Sequence, residues 1–239
     1  VPHDFEALPS KKLVAAISEA QKKIFVGIAT ARPYYYVRHV IEHLGLTGPC
    51  VVNSGAQIVD ALTGKVLHEQ LMIDADVEAV CNVASDMGLT LLLNTKEKDV
   101  KVIDMNKFAG KIYGVWSFPA VDEEIIDLFM DRISNISTIA ASKTPSNVSG
   151  KFYVAIGHVR STKQYGVLEV SRILNIKTDD IIGVGDGDND FPLLMACGLR
   201  VAMGNAVEGL KDIADYVAPT VFDDGLVDVI DRFVLNSGE

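Results

Sequence analysis

Positive charge is scarce in this chain: 22 Lys and Arg stand against 32 Asp and Glu over 239 residues, a formal net charge of −10. Nucleic acid and anionic membrane surfaces both reward basic patches, and the sequence shows no such patch, so neither partner is expected. Cysteine is scarcer still. Cys50, Cys81 and Cys197 are odd in number, widely spaced and free of any C-x-x-C, which suggests neither a disulfide framework nor a zinc knuckle and fits a reducing cytoplasm. Uninterrupted apolar runs long enough to span a bilayer are missing, as is a basic-then-apolar signal at the start, so a soluble, unexported cytoplasmic protein is expected. Internal repeats and low-complexity tracts are missing too. What remains, 49% hydrophobic and 23% charged residues, is enough for one sizeable core or for a core plus a smaller domain.

Helix and strand patterns alternate along the chain. Ser10 to Lys23 places Leu13, Val14, Ile17 and Ala20 at helical spacing, and KIFVGIAT then reads as a buried strand. Tyr34 to Leu44 repeats the helical pattern, stops at Gly45 and leads into the short strand PCVVN. This βαβ style predicts a parallel sheet. A hairpin follows in QIVDALTGKVLHE, with turn chemistry at Thr63-Gly64. The pattern then changes to two helices (Asp76 to Met87 and Asp122 to Ile133) among several strands, with Trp116 expected in their core. Strand-helix alternation resumes from Ser161 to the end. The reading is an α/β fold: a Rossmann-like parallel-sheet core, residues 1–59 and 159–239, with an α+β cap domain, residues 60–158, inserted into it.

Four stretches could carry chemistry. IIGVGDGDNDFPLLMACG crowds Asp186, Asp188 and Asp190 at the end of an apolar strand, the position where open α/β sheets bind ligands. Carboxylates this close repel unless a cation, a lysine or backbone N–H groups offset them; a solvated acidic turn is the alternative. An EF-hand is excluded, because Phe191 stands where its Gly belongs and Cys197 where its closing Glu belongs. Magnesium, content with one or two carboxylates plus water or phosphate oxygens, suits the loop better. In IATARP, Thr30 ends a strand just before a helix, where a hydroxyl and free N–H groups can cradle phosphate or simply cap the helix. In VRSTKQYG, Lys163 sits in the first turn of its helix, a poor place for a cation unless an anion is near; a solvated surface lysine is the alternative. HVIEH, His39 to His43, fits H-x-x-E-H, but Val40, Ile41 and Leu44 define the buried face, so both histidines are expected on the wet side and zinc is not expected.

Together, Thr30 in IATARP, Lys163 in VRSTKQYG and Asp186 to Asp190 in GDGDND, followed by VAMGNAVEGLKDIADYV, closely resemble the second, third and fourth motifs of the haloacid dehalogenase superfamily. Their order and the unit inserted between Thr30 and Lys163 resemble its Cof-like phosphatases, near the phosphoglycolate and sucrose-phosphate phosphatases. The resemblance implies Mg²⁺-dependent hydrolysis of small phosphomonoesters, sugar phosphate or phosphoglycolate-like, through an aspartyl-phosphate. It implies that Asp186 ligates Mg²⁺ and that Asp190 acts through a metal-bound water or steadies Lys163. Thr30, Ala31, Arg32 and Asn189 would hold phosphate oxygens, and Lys163 would neutralise charge on nucleophile and phosphate. A monomer or small homo-oligomer acting on a phosphorylated metabolite is expected. Ala31 departs from the Gly usual before the Arg.

The larger departure concerns the first motif, D-x-D-G-T. VPHDFEALP contains no strand, and Asp4-Phe5-Glu6 imitates D-x-D without the Gly-Thr that should follow. The nucleophilic Asp is therefore expected upstream of Val1. A phosphotransferase or phosphomutase of the same family is one alternative, and a non-catalytic phosphate-binding protein is another.

Overall fold

The computed structural model describes residues 8–102 and 110–236. Two compact units divide the chain, one formed by Val1–Glu69 with Thr162–Glu239 and the other by Gln70–Ser161. Among the described residues, no helix is long and apolar enough to cross a membrane.

The first unit begins with α1 (Lys11–Ala20), started by Ser10, whose hydroxyl accepts the Leu13 N–H at 3.2 Å. Ala16, Ile17 and Ala20 bury one stripe of it, and Val37, Val40 and Ile41 do the same for α2 (Tyr34–His43). Both stripes share a core with Cys50 and Val52 of β1 (Pro49–Val52). β1 pairs antiparallel with β2 (Gln57–Asp60), which pairs antiparallel with β3 (Val66–Glu69). KIFVGIAT, expected as a buried strand, makes a single parallel bridge, Ala29 to Val51, so the expected parallel partner of β1 is reduced to one ladder step. The β2–β3 hairpin stays with the first unit because β2 is laddered to β1. That moves the boundary from the expected residue 60 to Gln70, and on return from 158 to Ser161.

The second unit contains α3 (Asp74–Asp86), β4 (Leu91–Asn94), β5 (Asp99–Lys101), β6 (Gly114–Ser117), β7 (Val121–Asp122), α4 (Glu123–Ile133), β8 (Ile139–Pro145) and β9 (Lys151–His158). The sheet order is β5-β4-β6-β9-β7 with β8 also on β9, and every pairing is antiparallel. α3 and α4 cover one face through Val77, Val80, Ile126 and Phe129, which meet Leu91, Leu93, Val115, Val154 and Ile156. Strand alternation then sends Trp116 to the opposite face. There it packs edge-on to Phe118 at 5.7 Å and to Tyr153 at 6.0 Å, partly exposed rather than in the helix-covered core.

The first unit resumes with α5 (Lys163–Leu174), β10 (Ile182–Gly185), α6 (Phe191–Met195), β11 (Leu199–Ala202), α7 (Glu208–Asp212), β12 (Tyr216–Val217) and α8 (Gly225–Ile230). β10, β11 and β12 run parallel in that order. Neighbouring side chains of β11 take opposite faces: Ala202 joins Val167, Leu193, Leu194 and Leu210 of the helices α5 to α7, while Val201 meets Val229 of α8. A parallel sheet covered by helices on both faces is the α/β core that the alternating pattern predicts, and its carboxyl ends emerge at Gly185 and Ala202.

Candidate active site

β10 stops at Gly185 because the chain must turn hard against its own continuation. A Cβ on Gly185 would lie 2.5 Å from the Cβ of Asp190, so only glycine lets that aspartate fold back over the strand end. Asp190 closes a short 3₁₀ turn, Asp188–Asp190, that feeds α6. One carboxylate oxygen, Oδ2, accepts the N–H groups of Asp186 at 2.9 Å and Gly187 at 3.1 Å. The other, Oδ1, is ion-paired with Lys163 Nζ. Both side chains of this pair are only 7% exposed. A buried ion pair of this kind holds only when the remaining lone pairs are also satisfied, and the two backbone N–H groups do that.

Lys163 opens α5, whose cap is Thr162, its hydroxyl accepting the Tyr165 N–H at 3.3 Å. The cation placed against the helix dipole thus has the anion it needs in Asp190.

Asp186 differs from Asp190. It is partly exposed, and among the described residues its carboxylate has no cationic partner; its contact is Asn205 Nδ2 at 3.4 Å from Oδ2. Asn205 is itself held, its Oδ1 accepting the Val221 N–H at 2.9 Å, and the Val207 N–H bonds to the Asp186 carbonyl at 3.0 Å. Asp188 and Asn189 are exposed at the turn. The loop's acids are therefore offset unevenly, Asp190 by lysine and Asp186 by a neutral amide alone.

Thr30, 7% exposed, lies at the bridge to β1, with its N–H on Val51 O at 2.9 Å. Its hydroxyl accepts the Arg32 N–H at 3.2 Å, which leaves the hydroxyl proton available to a ligand oxygen. Ala31, where glycine was anticipated, is not among the positive-φ residues, so its methyl group costs no backbone strain. Burial pulls the Arg32 guanidinium below its usual value, which still leaves it charged at neutral pH.

These stretches are physically joined. The Ser54 N–H bonds to Thr30 O at 3.0 Å, and Gly55 lies against Thr162, where a Cβ would meet the Thr162 carbonyl oxygen at 2.1 Å. Thr162 precedes Lys163, and Lys163 reaches Asp190. Thr30, Lys163, Asp190 and Asp186 thus form one chain of contacts within the first unit.

Other groups are not part of it. In α2, Glu42 is paired with Arg38 at 2.7 Å and His43 Nε2 with the Pro9 carbonyl at 3.0 Å, while His39 Nε2 is buried. The histidines are half-buried rather than on a wet face, His43 through its contact with the Pro9 carbonyl ahead of α1. Burial pushes the thiols of Cys50, Cys81 and Cys197 up to about 11, so none is a thiolate nucleophile at neutral pH. Asp4-Phe5-Glu6 lies outside the described residues. Asn205 and Asn53 were not legible as site residues; the MGNA run after β11 and the Asn-Ser-Gly turn after β1 are the signals that mark them.

The chemistry of the donors fits magnesium. Among the described residues no group of three or more His, Cys, Asp or Glu could cage a metal ion. Zinc and calcium favour such cages, whereas magnesium accepts one or two carboxylates and completes its shell with water and substrate oxygens.

The profile of a family described as haloacid dehalogenase-like hydrolase matches residues 6–230. A phosphoglycolate phosphatase of Methanopyrus kandleri is 31% identical over 209 residues, covering 86% of this chain and 81% of the relative. A 5-amino-6-(5-phospho-D-ribitylamino)uracil phosphatase of Bacillus subtilis is 24% identical over 232 residues, 96% of this chain and 90% of the relative. Among solved structures, a phosphatase of the superfamily from Bacteroides thetaiotaomicron superposes with a TM-score of 0.82 at 22% identity, covering 94% of this chain and 87% of the other. A sugar phosphatase of subclass IIB gives 0.77 at 21% identity, covering 96% and 94%. The fold, the order of the joined stretches and these similarities agree, and the chain belongs to the haloacid dehalogenase-like hydrolases.

Proposed function

We propose that the protein hydrolyses small organic phosphomonoesters with Mg²⁺ at the strand end of β10. The observation that supports this reading is the run of contacts from Thr30 through Lys163 to Asp190 and Asp186, which links within one unit a hydroxyl donor, a cation and a carboxylate that has no cationic partner among the described residues. In this reading Asp186 holds the ion, with Asp190 clamping the Asp186 and Gly187 amides so that the ligand carboxylate keeps its place. When bound, the ion would neutralise the phosphoryl oxygens and orient the ester.

The rest is done by the chain's own groups. The Thr30 hydroxyl donates to a phosphate oxygen, the Ala31 N–H adds a further donor, the Arg32 guanidinium adds positive charge, and the exposed Asn189 amide adds another donor. Lys163, fixed by Asp190, places its charge against the phosphate and the attacking carboxylate. That carboxylate is assigned by the family resemblance to an aspartate outside the described residues. Its oxygen forms a bond to phosphorus as the ester P–O bond breaks, the departing alkoxide takes a proton from a second aspartate, and water then cleaves the aspartyl-phosphate to inorganic phosphate.

The substrate class rests on the relatives, which act on phosphoglycolate and on a phosphorylated ribitylamino-uracil, both compact metabolites. A phosphate-release assay over a panel of phosphoesters tests the reading. Turnover of compact sugar or carboxylic-acid phosphates supports it, and release only from phosphoproteins or nucleotides overturns the substrate class.

A further inference from the structure

Asn53, Ser54 and Gly55 adopt positive φ in succession, at 52°, 56° and 108°. This is unusual for L residues; asparagine tolerates it best and serine has no special tolerance. A turn from β1 into β2 does not by itself demand it, since a two-residue hairpin needs fewer such positions.

The left-handed run does something an extended chain could not. Successive N–H groups of a strand point to opposite sides, whereas here the N–H groups of Asn53 and Ser54 both reach the same loop, bonding to the carbonyls of Arg32 and Thr30 at 3.0 Å each. Thr30 is then fixed by its amide to Val51 and by its carbonyl to Ser54, which leaves its hydroxyl pointing where the Arg32 N–H directs it. Gly55 continues the run into contact with the Thr162 carbonyl, beside Lys163. Asn53 is anchored below by its side-chain amide, which donates to Oε1 of Gln57, a residue only 2% exposed.

We propose that this run is a clamp that sets the phosphate-holding loop at Thr30–Arg32 in register with Lys163, and that Asn53 is the positioning residue that holds the clamp in its left-handed form. The role rests on the phosphate-binding reading above. It separates backbone conformation from side-chain bonding in a simple way: Asn53→Ala and Asn53→Gly both lose the bond to Gln57, but only glycine keeps positive φ at no cost.

The test is a titration of the native protein and both variants with inorganic phosphate, alongside KM and kcat for p-nitrophenyl phosphate. Asn53→Ala is expected to weaken phosphate and to raise KM by about tenfold, the equivalent of one charge-assisted hydrogen bond, while kcat stays within about threefold. Asn53→Gly is expected to remain within about threefold of the native protein in all three quantities. Alanine and glycine variants that bind phosphate equally poorly would overturn the clamp, because the side-chain bond alone would then matter. An alanine variant indistinguishable from the native protein would overturn it too. Failure of the native protein itself to bind phosphate would instead overturn the functional reading, and this role with it.

Discussion

Lys163→Met removes a charge while keeping an apolar stem of similar length, so it isolates the buried ion pair. The pair is 7% exposed on both sides, and Asp190 would be left as a buried anion with two backbone N–H donors and no cation. Breaking a buried pair by removing one partner costs about 3–5 kcal/mol, and the two surviving N–H bonds place the cost at the lower end, about 3 kcal/mol. With a urea dependence of about 2 kcal/mol per molar, the unfolding midpoint should fall by roughly 1.5 M. Adding Asp190→Asn should recover at least about 1.5 kcal/mol of that loss, because the amide oxygen still accepts a backbone N–H and no charge remains buried. The assay is equilibrium urea unfolding followed by far-UV circular dichroism, without added metal. A single variant costing under about 1 kcal/mol, with a double variant no better, would refute the buried-pair argument.

Two further outcomes follow from neighbouring geometry. Asn205→Ala removes the only amide touching the Asp186 carboxylate among the described residues, at 3.4 Å; the Mg²⁺ concentration for half-maximal activity should rise about tenfold with maximal rate nearly kept, and an unchanged requirement would remove Asn205 from the site. Away from the site, the Arg200 guanidinium and its backbone N–H hold the Asp215 carboxyl at about 2. The folded value lies below the ordinary one, so the pair's contribution is fully present above about pH 4 and is lost as pH falls towards 2. An NMR titration should place the Asp215 midpoint there and move it up in Arg200→Ala; coincident midpoints would contradict the pairing.

Much of the site could be read from residue order, because GDGDND follows an apolar strand and strand ends are where open α/β sheets place ligands. The helices were legible from their apolar stripes, as Val37, Val40 and Ile41 show. Three things were not. KIFVGIAT has the composition of a buried strand, but a strand exists only where a partner supplies hydrogen bonds, and here the ladder is one step long. Trp116 looks like core by size, yet the period of two that buries Val115 turns it to the other face. The clamp at Asn53 depends on φ values and on carbonyls more than twenty residues earlier, and no local pattern encodes such a contact. Composition alone presents three equivalent aspartates; the family resemblance set Asp190 apart as a partner of Lys163 or of a metal-bound water, and the fold pairs it with Lys163 while Asp186 meets only a neutral amide among the described residues.

Phosphate release from a phosphomonoester by the native protein and by Asp186→Ala, each with Mg²⁺ and with excess chelator, tests the central claim most directly. The account predicts turnover only for the native protein with Mg²⁺, and a loss of at least about a hundredfold in the variant, as expected when a group that stabilises transition-state charge is removed. Full activity in chelator, or an Asp186→Ala variant as active as the native protein, would contradict it.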